Sequence, residues 1–317
     1  MSLLTQPSII KSIIRWFDCH VTEPIDPSKD PHRIDWVQSS PFFFMHIMCL
    51  GVLWVGWSST AVAVAVALYI LRMFAITGFY HRYFSHRAFR TTRTCQFIFA
   101  LAGATAVQRG PLWWAAHHRT HHRYSDKKQD LHSPHHTGFW WSQIGWLTSK
   151  QNFATKHDLV GDFSKFPELQ FLNRFDTIVP FLFAVSVFGF GELLHAYAPG
   201  LGTNGMQMLI WGFFISTVVL LHGTSTINSL SHLLGKKRYD TPDESRNNPF
   251  LAILTLGEGW HNNHHHYASS ARQGFFWWEI DITYYGLVVL SWLGLIWDLR
   301  PVPSQYLYAH QLKKEAV

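Results

Sequence analysis

Charge is scarce in this 317-residue chain. Asp, Glu, Lys and Arg together supply 15% of its residues, where a soluble domain carries about a quarter. Cysteine is scarcer: Cys19, Cys49 and Cys95 stand far apart with no Cys-x-x-Cys pair, which argues against a disulfide framework and a thiolate metal site. No apolar run precedes Asp18, Glu23, Asp26 and Asp30, so no cleavable signal peptide is expected. The balance is nonetheless basic, with a formal net charge of +6. The Lys and Arg residues flank apolar runs and form no nucleic-acid motif. Contact with anionic membrane lipid is therefore expected, and a nucleic-acid partner is not.

Apolar and aromatic residues take the place of charge. Aromatics make up 16% of the chain and include fifteen tryptophans. Residues 42–71 are thirty in number without one Asp, Glu, Lys or Arg, whereas about twenty suffice to cross a bilayer. Gly51, Gly56 and Ser58-Ser59 in their middle predict two helices joined by a tight turn near Trp57 to Thr60, the second running past Arg72 to about Tyr80. A second pair follows at 177–197 and 206–234, separated by Pro199-Gly-Leu-Gly202. The expected fold is an all-α integral membrane protein with four transmembrane helices in two hairpins and a cytoplasmic helical cap. Its segments are a cytoplasmic lead-in (1–40), a first hairpin (41–80), a cytoplasmic stretch (81–176), a second hairpin (177–234) and a cytoplasmic C-terminal segment (235–317). Basic residues concentrate on the cytoplasmic side of a membrane. Both hairpin turns lack them, while Arg82, Arg87, Arg119, Lys127, Lys128, Lys236 and Lys237 lie opposite. That places both termini in the cytoplasm, with a bacterial inner membrane as the expected location. An amphipathic helix at Ile9 to Phe17 is expected on the membrane surface, with Trp140, Trp141 and Trp146 at headgroup level. The apolar runs 95–107 and 286–297 are too short to cross.

The histidines carry the chemistry. In a helix, His261-Asn-Asn-His264-His265 sets three imidazoles at i, i+3 and i+4, all on one side. His118-Arg-Thr-His121-His122 repeats the spacing residue for residue. His81 and His86 form a third group; five apart, they fit one helical face poorly, so His81 is expected on a helix's last turn and His86 just beyond. Asn228 and His232 form a fourth group, four residues apart at the end of a span. Metal sites take four to six ligands, so nine histidines and one asparagine predict a two-metal, all-imidazole site. His117 and His266 lie off the shared faces and read as outer hydrogen-bonded residues. His20 and His32 read as ordinary exposed side chains. His46, His195 and His222 read as packing residues, and His132, His135 and His136 as loop histidines that hydrogen-bond or face water.

These boxes, with Gly78-x-x-His-Arg-x-x-Ser-His86, Asn228-Ser-Leu-Ser-His232 and Gly257-Glu-Gly-Trp-His-Asn-Asn-His-His265, resemble the integral membrane fatty acid desaturases, and among them the Δ9 acyl-CoA and acyl-lipid group that includes stearoyl-CoA desaturase. The resemblance covers residues 42–297. It implies a di-iron centre with O2 as co-substrate, held by His81, His86, His118, His121, His122, His232, His261, His264 and His265, with Asn228 acting through a water. Spacing does not say which histidine serves which iron. It also implies an acyl-CoA or acyl-lipid substrate in a bent tunnel that places two adjacent carbons near the metals, with Trp114 along it. We read Tyr69, twelve residues before His81, as a stop for the acyl chain. Where stearoyl-CoA desaturases carry Trp-x-Arg-Asp, this chain has Trp114-Ala-Ala-His117, and Gly110-Pro111-Leu112 looks more like acyl-lipid desaturases. With no His-Pro-Gly-Gly and no Cys-x-x-Cys in the chain, electrons are expected from a separate ferredoxin, rubredoxin or cytochrome b5-like donor. The rival readings are a di-iron membrane hydroxylase or ketolase and a bis-histidine haem carrier. A metal-storage or transport protein is disfavoured by the lack of carboxylates in the charge-free runs.

Overall fold

The computed structural model describes residues 9–20 and 32–312, so part of the expected N-terminal segment lies outside the described residues. Four helices are long and apolar enough to cross a membrane: Trp36–Val55, Ser59–Ser85, Ile178–Tyr197 and Gly205–Leu233. The protein is a four-span membrane protein, helical but for one short antiparallel pairing of Arg90–Thr91 with Ile296–Trp297.

Each end of these helices has a local cause. The first span begins at Trp36, ahead of the charge-free run, because Asp35 caps it by accepting from the Gln38 amide at 3.0 Å. It stops at Gly56, whose φ of +63° suits glycine. Ser58 then caps the second span through the Ala61 amide at 3.1 Å, making the expected tight turn. In the other hairpin Asn204 caps the fourth span through Gln207. Gly191 lies so close that a Cβ there would stand 2.6 Å from the Asn204 carbonyl oxygen.

The second and fourth spans are the more buried pair, and their ends carry site residues. The second runs to Ser85, beyond the expected Tyr80, and its last stretch Ala75–Ser85 is a π-helix. The fourth breaks at Ser229 (φ −103°, ψ −72°), which separates Asn228 from the short turn Leu230–Leu233. Arg72, buried deep in the second span, is satisfied without an acid: it donates to Thr217 Oγ1 at 2.6 Å, Ser216 Oγ at 2.5 Å and the Leu68 and Thr105 carbonyls. His46 and His222 meet between the first and fourth spans with their Nε2 atoms 3.1 Å apart, a polar contact of the kind that packs membrane helices. His195 is exposed on the third span.

A cap of short helices sits at one end of the bundle. The amphipathic helix Ile9–Phe17 forms as expected; Ile13, Ile14 and Phe17 are exposed, and Trp16 Nε1 donates to Val37 O at 2.8 Å. Arg93–Ala104 and Ile282–Trp292 are the short apolar helices, the latter joined to the second span by a 2.7 Å contact between Thr283 and Thr77. One tryptophan corrects the sequence reading. Trp140 is exposed, but Trp146 is buried, stacked on Trp113 with ring centroids 5.8 Å apart. It is a wall of the cap and not a headgroup anchor.

Candidate metal centre

The π-helix explains the first histidine box. A π-helix bonds i to i+5, and the His86 amide donates to the His81 carbonyl at 3.2 Å. His81 and His86 are therefore one turn apart, and the five-residue gap that fits an α-helix poorly fits this one. The second box lies on Pro111–Tyr124 and the last on His261–His266, both helical, so i, i+3 and i+4 share a face as expected.

The nine histidines separate into two groups. His81, His86, His118, His122 and His264 bring one nitrogen each within 4.8 Å of one another, and His121, His232, His261 and His265 do the same. Each triple box serves both groups in a reciprocal way. The second box gives its i and i+4 rings to the five-histidine cluster and its i+3 ring to the four-histidine cluster. The last box gives its i+3 ring to the first and its i and i+4 rings to the second. Two facing helices with the same spacing thus build two adjacent centres.

The donor set fits metal ions. His81 Nδ1 lies 2.5 Å from Glu258, His121 Nδ1 3.1 Å from Asp130, His232 Nδ1 2.7 Å from Asp126 and His265 Nδ1 2.6 Å from Asp243. A carboxylate at Nδ1 fixes the proton there and leaves Nε2 as a lone pair. Those Nε2 atoms then converge: His81 and His264 are 3.0 Å apart, His122 and His264 2.9 Å, His86 and His118 2.8 Å, His232 and His261 3.0 Å. His264 Nε2 faces two imidazole nitrogens at once, more than one shared proton can satisfy. The buried His265 Nε2 has no partner. A cation at each cluster would satisfy these nitrogens.

Burial, reinforced by neighbouring histidines, holds His86, His118, His122, His261 and His264 well below the usual imidazole pKa. Burial also lowers His265 against the pull of Asp243. These rings are neutral at pH 7, the form that ligates. His121 differs: burial opposes its charge, but Asp130 outweighs burial and raises it. Burial alone would raise Asp126, Asp130 and Asp243, yet histidine partners and hydrogen bonds hold them below the ordinary carboxylate range.

A cavity opens against both clusters. Its lining includes Met73, Ile76, Trp114, Thr224 and Ile227 together with His81, His118, His121, His261 and Asn228. Trp114 stacks on His118 at 5.0 Å. Its Nε1 donates to Gln108 Oε1 at 3.4 Å, and Gln108 in turn donates to Thr224 at 3.0 Å. Tyr69 is not in that lining. Its hydroxyl donates to the Leu254 carbonyl at 2.7 Å, and it sits one turn before Met73, which is.

The four outer carboxylates are site residues that the histidine pattern does not reveal. A signal for them exists: the chain has only 20 acidic residues, and metal-bound imidazoles regularly donate to carboxylates. His135 and His136 hydrogen-bond as expected, to the His232 and Asp126 carbonyls, but from the short helix Pro134–Thr137 and not from a loop. His132 is buried instead, stacked on His121 at 4.6 Å. His117 bonds the Trp113 carbonyl through Nδ1 at 2.9 Å, and His266 the Tyr306 carbonyl through Nε2 at 2.9 Å. His20 and His32 are exposed.

Four spans capped by two imidazole clusters define a class: multi-span membrane proteins whose buried histidines are able to hold two metal ions. Residues 56–288 match the family model described as fatty acid desaturase, and the chain belongs to that family. It is 37% identical over 271 residues to the sn-1 stearoyl-lipid 9-desaturase of Anabaena variabilis, covering 84% of this chain and 94% of that one. It is 36% identical over 276 residues to delta-9 acyl-lipid desaturase 1 of Arabidopsis thaliana (86% and 85% covered), and 36% identical over 294 residues to an acyl-CoA 5-desaturase of Anemone leveillei (88% and 86%). The protein is a fatty acyl desaturase, an oxidoreductase of lipid metabolism.

Proposed function

We propose that this chain inserts a cis Δ9 double bond into a saturated acyl chain carried on a lipid, using two irons and O2. The observation that carries the reading is the pair of buried imidazole clusters at the end of an apolar-lined cavity. His81, His86, His118, His122 and His264 would hold one iron. His121, His232, His261 and His265 would hold the other, with Asn228 in the cavity wall placed to keep a water there. When bound, the irons supply the activation of O2 and the removal of hydrogen from unactivated carbon, which no side chain can perform.

The protein's own residues do the rest. Glu258, Asp126, Asp130 and Asp243 orient the rings and keep Nε2 unprotonated. Met73, Ile76 and Ile227 offer an apolar track to the acyl chain, and Trp114, held by Gln108 and Thr224, forms a flat wall beside His118. Tyr69, behind Met73, sets how far the chain reaches. The overall balance takes two hydrogens from adjacent carbons, one O2, two electrons and two protons, and gives one double bond and two waters. The electrons require a separate one-electron carrier of the ferredoxin, rubredoxin or cytochrome b5 kind. The lack of basic residues in both hairpin turns supports a cytoplasmic cap, in a bacterial inner membrane. An acyl-lipid substrate is favoured over acyl-CoA because Ala115 and Ala116 are buried and apolar, leaving no charge there for a CoA headgroup.

The test is the fatty acid profile of a host lacking unsaturated fatty acids, with double bonds located by mass spectrometry. A new Δ9 monoene that disappears in His265→Ala is expected. A hydroxylated product, or an unchanged profile with iron and donor supplied, would move the reading to a membrane hydroxylase.

A further inference from the structure

The electrons need an entrance, and one part of the cap's surface is suited to it. Resting on the desaturase reading above, we propose that the turn after the second histidine box, with the facing segment 236–246, docks an acidic one-electron carrier protein, and that electrons enter the four-histidine cluster through Asp126 and His232.

The surface comes close to the site here. Asp126 has a left-handed backbone (φ +55°), uncommon for a residue other than glycine and tolerated by aspartate. That conformation turns its carboxylate inward onto His232 Nδ1 at 2.7 Å, while Lys127 and Lys128, next in the chain, are exposed. Ser133 Oγ and the Glu244 amide also donate to Asp126, at 2.6 and 2.8 Å. The Glu244 contact brings segment 236–246 against the turn. From that segment Asp243 holds His265, a second ligand of the same cluster, at 2.6 Å. Two of the four rings are thus backed by carboxylates one residue from the surface.

The surface above them is cationic. Exposed Arg123, Lys127 and Lys128 are engaged in no ion pair among the described residues. In the facing segment half-buried Lys237 and Arg246 share Glu244 at 3.3 and 3.1 Å, and exposed Lys236 lies there with the exposed acid Asp240. Elsewhere several exposed arginines are matched, Arg90 with Asp298, Arg93 with Glu168 and Arg174 with Asp18, whereas exposed Arg33 and Arg300 stand singly among the described residues. A concentration of unmatched charge steers a partner of opposite charge and fixes its orientation. A carrier that gives up one electron per encounter must dock, transfer and leave twice per turnover, which favours a salt-sensitive charged contact over an apolar one.

The test uses the iron-loaded full chain in lipid nanodiscs and a reduced plant-type ferredoxin, whose oxidation is followed by stopped-flow absorbance. In K127E/K128E the second-order rate constant should fall about tenfold or more at low salt, and its dependence on ionic strength should flatten. The control R90E/R93E should keep the wild-type rate and salt slope within about twofold. Equal rates in K127E/K128E and the wild type, or equal losses in both variants, would overturn the docking site. The desaturase reading stands or falls separately, on whether wild-type enzyme forms a double bond when dithionite supplies the electrons.

Discussion

The two histidine clusters are neighbours built from the same boxes, yet they differ in what stands behind them. In the five-histidine cluster one ring, His81, is held by a carboxylate, and that carboxylate, Glu258, also accepts from Arg82 at 3.0 Å. In the four-histidine cluster three rings are so held, by Asp130, Asp126 and Asp243, and no Lys or Arg side chain pairs with any of these acids among the described residues. The first cluster is richer in neutral nitrogen and the second in negative charge. Opposite charge nearby stabilises a cation, so a metal ion held by the four histidines would feel the stronger negative field. That site also has one ring fewer. The same spacing on two helices therefore yields two unequal sites.

Removing a ring should break the comparison at its root. His264→Ala takes the residue whose Nε2 meets both His81 and His122 and should empty the five-histidine site; His261→Ala should empty the other. Each should leave about one iron per chain and lower desaturation by about a thousandfold or more, as loss of catalytic parts acting as a unit does. Metal analysis beside product analysis checks both.

Glu258→Gln tests stability more than metal. Arg82 is buried, held by Glu258 and by Asp281 at 2.9 Å, and weakening one partner of a buried ion network costs about 3 kcal/mol. A fall in melting temperature, with product per folded molecule reduced less, is expected from thermal unfolding in nanodiscs.

Asp126→Asn and Asp243→Asn sharpen the contrast. Each should weaken metal at the four-histidine site by about 10- to 100-fold, the usual effect of losing such a partner, and leave the five-histidine site loaded. Competition with a graded chelator reads the two sites separately. The smallest effect concerns the cavity they share: Tyr69→Gly should admit acyl chains a few carbons longer with total turnover changed less than about threefold, whereas unchanged product lengths would remove Tyr69 from the specificity determinants.

Much of this was legible in the chain before folding. A thirty-residue run without charge can only be two apolar helices or one very long one, and Gly56 with Ser58 decides between them. The boxes at 118–122 and 261–265 declare their faces by spacing alone. The division of the nine rings was not legible, because it depends on how those two helices face each other across the cap. His-x4-His fits an α-helical face poorly, and the expected placement, His81 on a helix's last turn and His86 just beyond it, holds, with that last turn π-helical. Trp146 looked like other tryptophans of its stretch, and only the stack with Trp113 shows it to be interior. Of the outer carboxylates, Asp126 and Asp130 closely follow the second box and Glu258 lies inside the last one, but their roles show only where the fold sets them on Nδ1 atoms.

The inequality of the two sites is tested most directly by Mössbauer spectroscopy of the protein loaded with 57Fe, alongside iron per chain. Two irons per chain and two distinct doublets of equal area are expected, one of them altered in Asp126→Asn. A single iron per chain, or two irons giving one doublet indifferent to Asp126, would contradict the assignment of a five-histidine and a four-histidine centre.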